Sequence, residues 1–108
     1  DQKIVQLMER YDHINLSDKS QWANTSFAFA RQLKNMLELS RVVVLGALLR
    51  DESRGAHYKP DFPDRNDERF LKTTKASFTG TLEGPRFEYE DVDTQYIKPR
   101  PRRYDATK

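Results

Sequence analysis

The stretch from Asn24 to Ser53 carries two apolar stripes on one helix, and this limits the available folds more than any other feature. Ala30, Leu33, Leu37, Val44 and Ala47 recur in alternating steps of three and four, with Ser40 in the same series. Phe29, Met36 and Val43 form a second series at seven-residue spacing. Both match the 3.6-residue helical period. One antiparallel neighbour covers one stripe, and the other requires a further partner. Ile4, Val5, Met8, Tyr11 and Ile14 repeat the same period, predicting a first helix over about residues 2–14 that supplies one cover.

The residues between and after these helices carry turn chemistry. Asn15 to Ala23 reads as a polar connection around Ser17, Asp18 and Ser20, with Trp22 expected to plug the end of the helix pair. Asn24 is an N-cap candidate because its side-chain oxygen can accept from an amide of the first turn. Gly46, inside the long helix, costs about 1 kcal/mol relative to Ala and suits a close approach by a neighbouring element. Gly55 is expected to end the helix as a left-handed C-terminal residue. Pro60 and Pro63 are expected to keep 59–64 extended, and Asp67 to Thr73 to form one helical turn. Ala76–Leu82 and Arg86–Tyr96 read as two strands joined through Gly80 and Gly84-Pro85, with Phe87, Tyr89 and Asp91 on one face.

At 108 residues, 36% hydrophobic and 33% charged, the chain has one domain with a thin core. It has no cysteine, which excludes disulfides, a thiol nucleophile and iron–sulfur ligation by its own side chains. The longest apolar run, Val42–Leu49, is far shorter than the roughly 18 residues of a membrane span. No signal peptide is evident. A start at Asp1 without Met, already in helical register, predicts a piece of a longer chain. Net charge is +2, too small to indicate nucleic acid by itself. The tail, with Lys98, Arg100, Arg102, Arg103 and Lys108, has no reading helix or aromatic platform beside it, so a solvated extension or a strap over Glu88–Asp91 is expected.

The segment 53–74 mixes both charge signs around Tyr58, Phe62, Phe70 and Leu71, unlike a flexible linker. Glu52-Ser53-Arg54-Gly55-Ala56-His57, then Asp61-Phe62-Pro63-Asp64-Arg65-Asn66-Asp67-Glu68, then Phe70-Leu71-Lys72 and Thr74 resemble the C-terminal region of the flavoprotein subunits of succinate dehydrogenase and fumarate reductase. Thr73 stands where many members have His. The preceding helix and Phe87-Glu88-Tyr89 extend the likeness over nearly the whole chain. L-aspartate oxidase, a related flavoprotein, has a similar Ser-Arg-Gly start, but the Asp64–Lys72 continuation resembles the succinate/fumarate branch more closely. The resemblance implies a mainly α fold: a spectrin-repeat-like bundle with two of three helices present, followed by an irregular segment and a β-hairpin. The expected division is a helical hairpin over 1–53, a docking segment over 54–75, the β-hairpin over 76–96 and the basic tail over 97–108.

The resemblance further implies a parent that interconverts succinate and fumarate on FAD and passes electrons to an iron–sulfur subunit and, through it, a quinone-linked membrane anchor. Such a protein would lie on the cytoplasmic face of the membrane, peripheral through its partners. The four glycines, at 46, 55, 80 and 84, show no dinucleotide-binding spacing, so no flavin site is expected in this piece. In the family, flavin attachment and substrate binding involve residues of other domains, so no catalytic residue is carried over. His13 and His57 share no ligand spacing, so no metal site is expected. Arg54, His57 and Asp64 lack a nucleophile partner, and local pairing at the helix end is the expected reading. Arg54, Gly55, His57, Asp64, Arg65, Asp67 and Glu68 are instead expected to form an interface. Through it this region would pack on the FAD-binding domain of the same chain and near the iron–sulfur subunit. With its second stripe uncovered, the piece alone is expected to be catalytically inactive and to form a homo-oligomer. Two rival readings stand beside it: the C-terminal domain of a related flavoprotein such as L-aspartate oxidase, and a free-standing interaction module whose basic tail binds nucleic acid.

Overall fold

The computed structural model describes residues 1–80 and 83–100. Its order is α1 (Gln2–Tyr11), α2 (Thr25–Leu49), the single turn α3 (Asp67–Phe70), β1 (Lys72–Ser77) and β2 (Arg86–Asp91). Asp1 pairs with Arg41 at 2.8 Å, while Tyr11 and Asp12 share a groove with Lys34 and Leu37, so α1 runs antiparallel to α2. β1 and β2 form a two-stranded antiparallel sheet running in register from Lys72↔Asp91 to Ser77↔Arg86. The molecule is elongated, 58 × 37 × 30 Å, with a radius of gyration of 19.4 Å. A closed domain of about 100 residues has a radius near 13 Å.

The Asn24 cap forms as expected: Oδ1 accepts from the Phe27 amide at 2.8 Å. Its Nδ2 also donates to the carbonyls of Asp18 and Ser20, at 3.0 and 3.1 Å, so one amide both starts α2 and folds the connection before it. That connection needs no aromatic plug. Trp22 is 88% exposed, because side-chain and backbone polar groups organise the segment and Ala23 takes φ 50°. α1 stops at Tyr11 rather than residue 14; His13 and Ile14 continue only as i+3 turns.

The larger correction is at the end of α2. The helix stops at Leu49, and Arg50 is extended with φ −94° and ψ 100°. Lys59 Nζ, eleven residues on, caps the Leu48 carbonyl at 2.8 Å. Gly55 does take φ +61°, but inside a tight turn closed by reciprocal backbone bonds between Arg54 and His57. Nor is 59–64 extended throughout: Phe62 N donates to Lys59 O at 2.9 Å around Pro60, a favoured first corner of a β-turn. β1 begins at Lys72, four residues before the expected Ala76, where Thr73 and Thr74 bring β-branched side chains. β2 ends at Asp91 rather than Tyr96. Arg102, Arg103 and Lys108 lie outside the described residues.

The thin core takes an unusual form. Among the described residues the fully buried side chains are Phe70, 3% exposed, and Glu52, 0% exposed. Phe87 and Tyr89 do share a face of β2. Phe87 comes so close to α2 that a Cβ on Gly46 would sit 3.3 Å from its ring, which is the close approach the helical glycine suggested. Tyr89 meets Phe70 edge-on, with centroids 6.3 Å apart. The stripe of Phe29, Met36 and Val43 remains 68%, 61% and 70% exposed.

Two substitutions test this arrangement. Asn24→Ala removes the α2 cap and is expected to cost about 1 kcal/mol, read as a lower urea midpoint. Gly55→Ala meets no atom within 4 Å, so its expected loss of about 1 kcal/mol is purely the cost of a left-handed backbone; Gly55→Asn loses less.

Candidate functional site: an arginine–carboxylate clasp

Arg50, Glu52 and Arg54 stand at two-residue spacing in the irregular segment that leaves α2. The chain bends at Glu52, and both guanidinium groups meet the carboxylate between them. Arg50 Nη1 donates to Glu52 Oε1 at 2.5 Å. Arg54 forks onto both oxygens, Nε to Oε1 at 2.8 Å and Nη2 to Oε2 at 3.0 Å. The Asn66 amide supplies a fourth donor to Oε2 at 2.9 Å.

The clasp ties three parts of the chain together. Arg50 also donates to the carbonyls of Phe70 and Lys72, both at 2.9 Å, and to Thr74 Oγ1 at 3.0 Å, fixing the end of α2 to β1. Its guanidinium lies 5.5 Å from the Phe70 ring centroid, within cation–π range. Arg54 Nη2 reaches Asp67 Oδ1 at 2.6 Å, and Asp67 Oδ2 accepts from Arg65 Nη2 at 2.6 Å. Arg65 Nη2 also bonds the Arg100 carbonyl at 3.0 Å. A second pair closes the flank: Lys59 Nζ to Asp51 Oδ1 at 2.7 Å. Ser53 Oγ accepts from Lys59 N at 3.0 Å and donates to Phe62 O at 2.8 Å, holding the intervening turn.

The electrostatics follow from this geometry. Burial opposes ionisation of Glu52, but bonds from Arg54, the Asn66 amide and Arg50 outweigh it and hold the carboxyl below its ordinary value. Arg54 bonding holds Asp67 down, with Arg65 adding to it, and Lys59 does the same for Asp51. The Glu52 bonds, with Asp67 adding to them, raise Arg54 and keep it charged. No buried side-chain polar atom among the described residues lacks a partner.

Of the seven residues expected at an interface, the fold joins Arg54, Arg65 and Asp67 into this network. His57 sits beside it, with Nε2 3.2 Å from the Arg50 carbonyl. Gly55 is the exposed corner of its turn. Asp64 contributes its backbone carbonyl, which accepts from Ser53 N at 3.2 Å, while its side chain and that of Glu68 are exposed. Arg54 faces Glu52 and Asp67, matching the local pairing expected at this bend. Sequence reasoning missed Arg50, Glu52 and Asn66. The available signal is the Arg-x-Glu-x-Arg spacing, which a helix expected to run to residue 53 hides.

The described residues hold no dinucleotide-binding turn. No glycine opens a helix after a strand: Gly46 faces Phe87, Gly84 faces Arg41, and Gly55 and Gly80 have nothing within 4 Å of an added Cβ. Among the described residues no cluster of His, Cys, Asp or Glu has metal-binding geometry. No described helix is long and apolar enough to cross a membrane. What the fold and clasp define is a helical pair locked to a β-hairpin through a charged bend.

The comparisons with known proteins assign that module to a family. The profile of the family described as "Fumarate reductase flavoprotein C-term" matches residues 1–104, and the chain belongs to that family. It is 54% identical over 108 residues to the succinate dehydrogenase flavoprotein subunit of Bacillus subtilis, covering all of this chain and 18% of that protein. It is 38% identical over 104 residues to the fumarate reductase flavoprotein subunit of Haemophilus influenzae, covering 96% of this chain and 17% of that one. A fumarate reductase flavoprotein subunit of Mycobacterium tuberculosis is 40% identical over 73 residues, covering 68% of this chain and 12% of its own length. The chain thus spans less than a fifth of the length of these relatives.

The clasp makes stability pH-dependent in a defined direction. Carboxyls held low when folded take up protons more readily once unfolded, so stability is complete above the unfolded values near 4 and is lost as pH falls through the folded ones. Denaturant midpoints are therefore expected to be flat from about pH 6 to 8 and to fall steeply below about pH 4. Glu52→Gln leaves two guanidinium groups facing a neutral amide. It is expected to cost about 3 kcal/mol at pH 7, the lower end for breaking a buried pair, because both arginines retain some solvent contact. The same variant is expected to flatten the acid limb.

Proposed function

We propose that this chain is the C-terminal support and docking portion of an FAD-containing flavoprotein subunit that interconverts succinate and fumarate. The observation that carries this reading is the family match across residues 1–104, joined by relatives named for succinate dehydrogenase and for fumarate reductase. In this reading FAD and the dicarboxylate are bound by the rest of the subunit, and the 108 residues alone are inactive. The subunit passes electrons to an iron–sulfur partner. It is held peripherally at the cytoplasmic face of the membrane through a membrane-anchor subunit.

The clasp supports the docking role physically. Arg50, Glu52, Arg54 and Asp67 neutralise one another inside the bend, leaving a rigid strip whose outward side chains include Tyr58, Asp61, Asp64 and Glu68. A preordered strip loses little conformational freedom when a neighbouring surface covers it. The strip packs on the FAD-binding domain of the same chain and near the iron–sulfur subunit, and the exposed stripe of α2 receives the remaining helix of a spectrin-repeat-like three-helix bundle. Separated from that cover, an apolar face of this kind drives association, and the 108 residues alone form a homodimer or higher oligomer. Nucleic acid has no part in this reading.

Two experiments test it. The complete subunit, purified with its partner subunits, is expected to contain flavin and to turn over succinate or fumarate; flavin-free protein without dicarboxylate turnover overturns the proposal. In that complex Arg54→Ala is expected to reduce recovery of assembled enzyme several-fold, while turnover per assembled flavin stays within about twofold. For the 108-residue chain, light scattering at high concentration is expected to give a dimer or larger species, and Met36→Glu with Val43→Glu to return it to monomer. A clean wild-type monomer counts against the uncovered-stripe argument.

A further inference from the structure

We draw no further inference here: the strongest candidate, the acidic groove of the charged bend lined by Asp61, Phe62, Pro63, Asp64 and Glu68 beside the Arg65–Arg100 contact, is a carboxylate cluster with no second observation in the structure to say what it would hold.

Discussion

The structure depends on one carboxylate. Glu52 is fully buried, and among the described residues the buried apolar interior is reduced to Phe70 and partly covered neighbours. A buried carboxylate without partners is among the most costly groups a fold can carry. Here two arginines and a backbone amide supply four donors to its two oxygens. The burial is tolerable because the pairing is complete. Removing any one donor exposes part of the desolvation cost that the others no longer offset.

The contrast with the other ion pairs of the molecule shows why this one matters. Lys75–Glu90 and Arg86–Glu88 lie on the sheet surface with more than half of each side chain exposed. Pairs of that kind contribute about 0–1 kcal/mol and weaken with salt. Lys75–Glu90 crosses between the strands and biases their register, Arg86–Glu88 lies within β2, and neither determines where the sheet sits. The position of the sheet is set by Arg50, which reaches the Phe70 and Lys72 carbonyls and Thr74 Oγ1 from the end of α2, and by Phe87 against Gly46. A two-stranded hairpin is marginal by itself, so these anchors hold it. The result is an elongated body with one helical face left apolar and bare, a shape consistent with the proposed role as a scaffold among larger neighbours.

Much of this was legible in the sequence where the governing interaction is local. Asn24 caps α2 as its residue type and position indicated, and both helices follow from their apolar period. The exposed series Phe29, Met36 and Val43 was legible because two stripes on one helix exceed what one neighbour covers. The Glu52–His57 and Asp61–Glu68 motifs carried the family resemblance that the profile match bears out. Trp22 was misread because an indole's size suggested burial, whereas hydrogen bonds around Asn24 shape that connection. β1 starts four residues before its expected place, since it alternates weakly and its start is decided by Arg50 reaching across from the helix, whereas β2 starts at Arg86 as its pattern indicates.

By itself, then, the sequence determined the helical pair, its cap, the existence of a hairpin and the family, all properties written in spacing, turn chemistry or motif. Only the tertiary structure decided where α2 stops, which residues face Glu52, and that Gly55 serves a turn beyond the helix rather than its end. The physical reason is reach. Helical periodicity and capping act over a few residues, but a buried carboxylate gathers its donors from positions 50, 54 and 66. The need to satisfy it overrides the local preference that would have carried the helix on to residue 53.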